Sequence, residues 1–164
     1  MKKTVFFLCF VLLVSLLAGC SSNESVSTTM TTKEMSDKIQ ESFPLAMPGE
    51  VDNDMLRDLF YVNTDLVEEH TSVMSFANIS ADNLVIVKAQ SGKASEVAEG
   101  LNKRLEHVRA SFERYLPDQY DKAKAGKVIT KGDYVFLVIL GGEDSENFAE
   151  DMVSVEGLID GFFQ

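Results

Sequence analysis

Side chains that could act as nucleophiles, acids or bases at neutral pH are scarce in this chain. It contains two cysteines, Cys9 and Cys20, and two histidines, His70 and His107. Nucleophilic catalysis needs a base within hydrogen-bond reach of the nucleophile, and neither histidine lies in a recognisable serine or cysteine motif. The sequence therefore predicts structural or solvent-exposed histidines, and it marks no catalytic and no cofactor-binding residue.

Acidic residues offer two candidate cation sites. Residues 52–54 begin like a calcium loop, but Leu56 occupies the third ligand position, and the required glycine and distal glutamate are missing. The acids of residues 143–146, continued by Glu150 and Asp151, have two interpretations. They form a site for a cation or a basic protein, or they stabilise the positive end of a helix dipole. The dipole interpretation is favoured, and no metal ligand is predicted.

The charge balance limits the classes of partner. The chain has 15 Lys and Arg against 26 Asp and Glu, a formal net charge of −11 at pH 7. Such a surface repels phosphate groups, so the composition argues against nucleic acid and anionic lipid headgroups as partners. Gly141 and Gly142 precede a predicted helix, but no phosphate-binding glycine motif follows them.

The N-terminal segment predicts export. Lys2 and Lys3 are followed by an almost unbroken apolar run at residues 5–17, and small residues then precede Cys20. The run is too short to span a bilayer, which needs about 20 apolar residues.

This pattern resembles a bacterial lipoprotein signal peptide in which Leu17-Ala18-Gly19-Cys20 is the lipobox. The resemblance implies a signal peptide at residues 1–19 and a diacylglyceryl group on the Cys20 thiol, which would anchor the protein to the extracytoplasmic face of the cell membrane. An ordinary secretory leader is the alternative. The polar residues 20–30 predict a flexible tether, and residues 31–164 a single α+β domain.

Apolar residues at helical spacing predict four helices. The spacing of Thr31 and Glu34 predicts a capping box at the start of the first helix, and Pro44 marks its end. A second short helix follows Asp52, and a helix of about five turns ends before Pro117. The last helix lies at the C-terminal end of the chain.

Strand-like runs occur at residues 70–78, 84–87, 128–130 and 134–140. They are rich in β-branched and aromatic residues, and the last two flank a Lys131-Gly132-Asp133 turn that indicates a β-hairpin. Pro48 and Gly49 predict a turn, and residues 118–126 a polar connection.

The order strand, strand, long helix occurs twice, with the second copy offset by 50 residues. We therefore expect an α+β fold in which two such units form a mainly antiparallel four-stranded sheet, with both long helices on one face and the short N-terminal helices at one end. The expected core consists of Leu84, Ile86, Leu101, Leu105, Val108, Phe112, Phe136, Val138, Phe148, Met152, Val155 and Ile159.

Four further features accompany the lipobox. They are Asn78-Ile79-Ser80-Ala81-Asp82, Val87-Lys88-Ala89, Phe112-Glu113-Arg114-Tyr115-Leu116-Pro117 and Lys131-Gly132-Asp133-Tyr134-Val135. The combination resembles a family of small, uncharacterised lipoproteins of Gram-positive bacteria, classed as a domain of unknown function. The resemblance implies a membrane-anchored extracytoplasmic domain and brings no catalytic residues.

These observations favour a tethered binding or interaction module, with the membrane as a partner through Cys20 and a basic protein or a cation as a further candidate partner. The alternative is an extracytoplasmic enzyme, either a hydrolase or metal-dependent, with an unrecognised carboxylate site. A cleft with convergent carboxylates would favour the enzyme, whereas a broad surface patch would favour the module.

We expect Cys20→Ala to release the protein from the membrane or to block its processing. Each methylene of a buried acyl chain contributes about 0.8 kcal/mol to membrane affinity, so loss of two chains removes the anchor. Fractionation of cells into membrane and soluble material measures this, and Cys9→Ala is the matched control because Cys9 lies inside the leader. A Cys20→Ala protein that stays in the membrane fraction as completely as the parent contradicts the anchor.

Overall fold

The computed structural model describes residues 27–141, 145 and 147–163. These residues form five α-helices, five β-strands and one 3₁₀ turn at Thr64–Leu66. In chain order the main elements are α1 (Thr32–Ser42), β1 (Pro48–Glu50), α2 (Asn53–Phe60), β2 (Val67–Ser75), β3 (Asn83–Ala89), α3 (Ala94–Phe112), α4 (Pro117–Ala125), β4 (Lys127–Lys131), β5 (Tyr134–Ile139) and α5 (Phe148–Gly161). Among the described helices, none has the length and apolar character needed to cross a membrane.

The strands form one sheet in the order β1-β2-β3-β5-β4, and every neighbouring pair is antiparallel. The predicted α+β class is confirmed, but the predicted number of four strands is wrong. The fifth strand is β1, which pairs with residues 73–75 of β2 where a turn was expected. Three residues that include a proline and a glycine carry no alternation of apolar and polar side chains, so this segment has no strand signal.

The expectation that both long helices share one face is also wrong, because the sheet is covered on both faces. On the first face, α2, α3 and α4 pack against side chains such as Val85, Val87 and Leu137. On the second face, α1 and α5 pack against Ile86, Phe136 and their neighbours. All six side chains of β5 are buried, and a strand that is apolar on both sides needs a helical layer on each.

The order strand, strand, helix occurs twice in the structure, as β2-β3-α3 and β4-β5-α5, but among the strands the 50-residue offset relates only β3 to β5. Ile86 and Phe136, which are 50 positions apart, are direct partners in the β3–β5 ladder. The helices that follow these strands nevertheless lie on opposite faces, since α3 belongs to the first core and α5 to the second. Of the expected core residues all are buried except Phe148, but they divide between two clusters.

Local signals place the helix ends. Thr31 and Glu34 form the predicted capping box, and Asp52 caps α2 by accepting a hydrogen bond from an amide of the first turn. The predicted polar connection is a helix instead, α4, which begins at Pro117. The helix α3 ends at Phe112, earlier than the predicted end before Pro117. This proline instead occupies the first turn of α4, where its missing N–H costs nothing and its fixed φ suits the helix.

One close backbone approach fixes α3 against the end of α2. Gly100 lies in the middle of α3, and a Cβ atom there would overlap the main-chain carbonyl of Tyr61. Tyr61 itself has φ 60°, the left-handed conformation that ends α2. Gly157 in α5 has open space around the same position.

We expect opposite effects on stability from the same substitution in these two helices. Gly157→Ala should stabilise the protein by up to about 1 kcal/mol, because alanine is the better helix former and nothing obstructs its methyl group. Gly100→Ala should destabilise it, since the methyl group overlaps the Tyr61 carbonyl. Urea denaturation midpoints measure both effects. Equal stabilisation by the two variants contradicts the close approach of α3 to α2.

Candidate functional site

The calcium-like triplet has a structural role. Asp52 accepts a hydrogen bond from the Met55 amide at 2.8 Å as the N-cap of α2, and Asp54 pairs with Arg57 at 2.9 Å. Within the described ranges, no group of three or more His, Cys, Asp or Glu residues is arranged to hold a metal ion. The predicted lipidation residue, Cys20, lies outside the described residues.

The acidic run near the C-terminal helix is described only in part. Glu143, Asp144 and Glu146 lie outside the described residues, whereas Glu150 and Asp151 occupy the first turn of α5. Carboxylates at that position stabilise the positive end of the helix dipole. Their placement is therefore the one that the dipole interpretation predicts.

The two histidines occupy different surroundings. His107 lies on the exposed side of α3, where its Nδ1 is 3.0 Å from the hydroxyl of Tyr61. His70 on β2 is half-buried and bridges two elements, with its Nδ1 3.0 Å from Ser72 Oγ and its Nε2 3.0 Å from Asn53 Oδ1. Burial lowers the pKa of the His70 imidazole, and the charge of Asp52 opposes that effect.

The Ser72–His70–Asn53 chain has the order of groups that a nucleophile, its base and an orienting residue would have. The amide oxygen of Asn53 accepts the Nε2 proton, which leaves Nδ1 to accept the serine hydroxyl proton. A groove of about 540 Å³ along the outer edge of β2 is lined in part by His70 and Ser72, but Ser72 is only 4% exposed. With the serine buried, these hydrogen bonds serve to tie the start of α2 to the sheet.

The sequence analysis did not predict this series of hydrogen bonds, because the three residues come from two different elements. His70 and Ser72 are two positions apart on one strand, so their side chains point to the same face. Asn53 approaches them from α2. The i, i+2 spacing on a predicted strand was the signal that could have paired the first two.

A different region concentrates exposed apolar side chains. Met47 is 70% exposed, Phe76 56% and Ile79 60%, and all three lie in the loops around the end of β2 and the start of β3. We call these three side chains and the loops that carry them, residues 43–47 and 76–82, the apolar end. The Met47 carbonyl accepts a hydrogen bond from the Phe76 amide at 3.1 Å, which joins the two loops.

The backbone at Met47 is strained. Its φ is 45°, a left-handed conformation that side chains with a Cβ atom rarely adopt. Such a conformation costs about 1–2 kcal/mol for an ordinary residue, and it persists only where the surrounding structure fixes it. Here it holds a large apolar side chain in solvent.

A buried ion pair stands behind the apolar end. Lys122 Nζ on α4 is 2.8 Å from Asp82 Oδ1, and the two side chains are only 10% and 5% exposed. The other carboxylate oxygen of Asp82 accepts the Ala46 amide at 3.2 Å, and the Phe148 ring lies 5.5 Å from the ammonium group. Asp82 and Lys122 thus tie both loops of the apolar end to α4 and α5.

Two grooves flank the 76–82 loop. The first, of about 490 Å³, has a mainly apolar lining that includes Leu45, Met47 and Ile79, and it also contacts the buried ion pair. The second, of about 360 Å³, lies between the loop and α3. Its large apolar lining residues are Met74, Phe76, Val108 and Phe112, and its charged residue is Arg104. We call it the Arg104 groove.

Nothing in the periodicity of the chain predicted this site. In the sequence, residues 78–82 were recognised only as one of the segments that carry the family resemblance. The partners of Asp82, Ala46 and Lys122, are distant in sequence, and so is Arg104, which bonds to the neighbouring Asn83. The available signal was the presence of Phe76 and Ile79 beside turn residues, where large apolar side chains find no core to enter.

We expect Lys122→Met to destabilise the fold by about 3–5 kcal/mol, because it leaves the Asp82 carboxylate buried without a counter-charge. Lys124→Met is the matched control on the same helix. Lys124 forms an exposed pair with Asp121, so its removal should cost less than about 1 kcal/mol. Urea denaturation of both variants measures the difference. Equal losses would show that the Asp82–Lys122 pair is not sequestered from water.

Comparison with known proteins gives a family and no activity. The sequence model of a family described as a domain of unknown function, DUF4358, matches residues 41–140, which is more than half of the chain. Among curated proteins and among solved structures nothing matches. The expected membership of an uncharacterised family is confirmed, while the lipid anchor and the Gram-positive source stay predictions. The matched residues contain all five strands together with α2, α3 and α4, and the chain belongs to the DUF4358 family.

Proposed function

We propose that this protein is a lipid-anchored, extracytoplasmic binding module whose contact surface is the apolar end. The observation that carries the proposal is the grouping of Met47, Phe76 and Ile79, each more than half exposed, beside two grooves. Contiguous exposed apolar surface on a soluble domain commonly marks a site of interaction. The lipobox ending at Cys20 supports the anchor.

The path of the chain supports a surface that faces away from the membrane. The side chain and amide of Thr32, at the start of α1, bond to Glu69, and its hydroxyl also contacts Thr71. The tether therefore enters beside the first half of β2. The apolar end begins at the far end of that strand, after Ser75, about 20 Å away at the usual rise of a β-strand.

The tether length adds reach to this orientation. A segment of 11 residues, which is the length of the predicted tether at 20–30, spans at most about 36–40 Å when extended. The domain therefore has room to contact partners well above the lipid headgroups while the acyl chains on Cys20 stay in the bilayer.

The loops of the apolar end are held before any partner arrives. Besides the bonds from Asp82, the Ala81 amide donates to Gln119 Oε1 at 2.9 Å, and the Ser75 amide donates to the Asp82 carbonyl at 3.0 Å. Loops that are already ordered lose less conformational entropy when they bind. This rigidity supports a recognition surface over a disordered connection.

The charge of the chain bears on its partners. A net charge of −11 favours encounter with a basic protein surface and slows encounter with an acidic one. We therefore propose that the partner is a basic protein. The apolar end would make the apolar contacts with it, and the acidic surface would attract it over longer distances. At 0.1 M salt, interactions between exposed charges more than about 10 Å apart are largely screened. Added salt should therefore slow association more than it speeds dissociation.

The alternative, an enzyme with a carboxylate site, has less support. Asp82 is the carboxylate that contacts the first groove, and Lys122 neutralises it. General acid–base catalysis needs a carboxyl group that can give up or accept a proton near the working pH and that has an oxygen facing the substrate. Asp82 uses its oxygens to hold Lys122 and the Ala46 amide.

Site-specific photo-crosslinking in intact cells tests the binding module. A benzophenone side chain at position 79, in the apolar end, should give a discrete adduct. The same side chain at position 153 is the control, because Val153 is equally exposed, at 65%, but lies on α5 away from the apolar end. Phe76→Ser should then reduce the adduct formed from position 79. No adduct at 79, or the same adducts from both positions, contradicts the proposal.

A further inference from the structure

Arg104 stands out among the basic residues of the described chain. Nine of its basic side chains are in ion pairs. Of the four described ones outside ion pairs, Lys38, Lys103 and Arg114 are exposed, and Arg104 alone is partly buried. Among the described residues Arg104 thus has no carboxylate partner, although the chain contains 26 acidic residues.

The surroundings hold the Arg104 guanidinium in place without neutralising it. Its Nε and Nη2 donate to Asn83 Oδ1 at 3.3 and 3.2 Å, and its Cζ lies 4.7 Å from the centre of the Phe60 ring. Asn83 is buried and is itself fixed by donating to the Ala81 carbonyl at 2.8 Å. No hydrogen bond from Nη1 occurs within the described residues, so that nitrogen keeps both its donors.

Burial lowers the pKa of Arg104. Arginine stays protonated across the physiological range in any case. The fold therefore maintains a fixed, partly desolvated positive charge beside an apolar groove. An anion that enters the groove would gain a charge-assisted hydrogen bond where water competes less than at an open surface.

We infer that the Arg104 groove binds a small apolar carboxylate, with the carboxylate on Arg104 and the apolar body between Phe76 and Val108. The inference rests on the proposed function, because it names a ligand class for one side of the apolar end. A volume of about 360 Å³ suits a short acyl chain or the last residue or two of an apolar peptide.

A carboxylate fits this groove better than a phosphate. The planar guanidinium matches a planar carboxylate, and one positive charge balances one negative charge. A phosphate monoester carries up to two negative charges, and Arg104 is the one cationic residue in the described lining of this groove. In a protein of net charge −11, the second charge would stay uncompensated.

Methyl NMR of the intact lipidated protein in zwitterionic nanodiscs tests the inference, with the methionines labelled. Met74 lines the Arg104 groove and reports binding there, whereas Met47 lines the other groove, and Met152 lies buried in the second core. The probes are hexanoate, hexanamide as its neutral counterpart, hexyl phosphate, and N-acetyl-valyl-leucine with a free or an amidated C-terminus. The hexanoate and peptide arms distinguish a free fatty acid from a peptide terminus.

We expect at least one carboxylate probe to shift the Met74 resonance in a saturable way and its neutral counterpart to bind roughly tenfold to a hundredfold more weakly, the usual range for a charged hydrogen bond. Arg104→Gln should weaken the carboxylate by a similar factor, Arg104→Lys by less, and Lys103→Gln not at all. Phe76→Ser, which alters an exposed wall and spares both cores, should weaken every probe.

Three results would overturn the inference. The first is equal binding of the carboxylate and amide probes. The second is carboxylate binding that Arg104→Gln leaves unchanged in a folded variant. The third is the absence of saturable binding by every carboxylate probe, whether or not hexyl phosphate binds. Equal binding of charged and neutral probes would still leave the apolar end as a contact surface. The failure of this inference and the failure of the proposed function, which the crosslinking at position 79 tests, are therefore separate results.

Discussion

The burial of β3 and β5 on both faces is the constraint from which the rest of the architecture follows. Side chains alternate between the two faces of a strand, so a strand with no polar positions presents two apolar surfaces to water. β5 is such a strand, and β3 is nearly one. The sheet is stable only with a helical layer on each face. α2, α3 and α4 supply one layer from within the family match at residues 41–140. The second layer comes from α5, beyond that match, and from α1, nearly all of which precedes it.

Most of the local structure could be predicted from the sequence, because caps and periodicity act over a few residues. The Thr31 capping box, the long amphipathic helix and the hairpin of β4 and β5 are of this kind. The choice of face for α5 is different, since a helix with an apolar stripe fits either side of a sheet that is apolar on both. β1 was missed because it depends on its partner strand, and α4 because its sequence is polar, with little apolar periodicity.

The candidate site was beyond prediction for a related reason. The pair of Asp82 and Lys122 and the pair of Arg104 and Asn83 join residues that are far apart in the chain, and each partner alone resembles an ordinary surface residue. What the sequence did indicate is the scarcity of catalytic groups. The structure adds one arrangement, around His70, in which a serine, a histidine and an amide follow one another as in a catalytic site, but Ser72 is buried. The apolar end therefore rests on tertiary geometry, with exposed side chains and the bonds beneath them as its basis.

The edges of the sheet bear on how two copies of the chain can meet. β1 covers only the last third of β2, so the outer edge of β2 at residues 67–71 has no strand beside it in the described structure. An exposed sheet edge offers unpaired N–H and C=O groups with which another chain can pair. Here one edge carries Glu68 and the opposite strand, β4, carries Lys127 and Lys131, each paired with an acid of α5. Charged side chains on both edge strands oppose edge-to-edge pairing between the sheets of two copies.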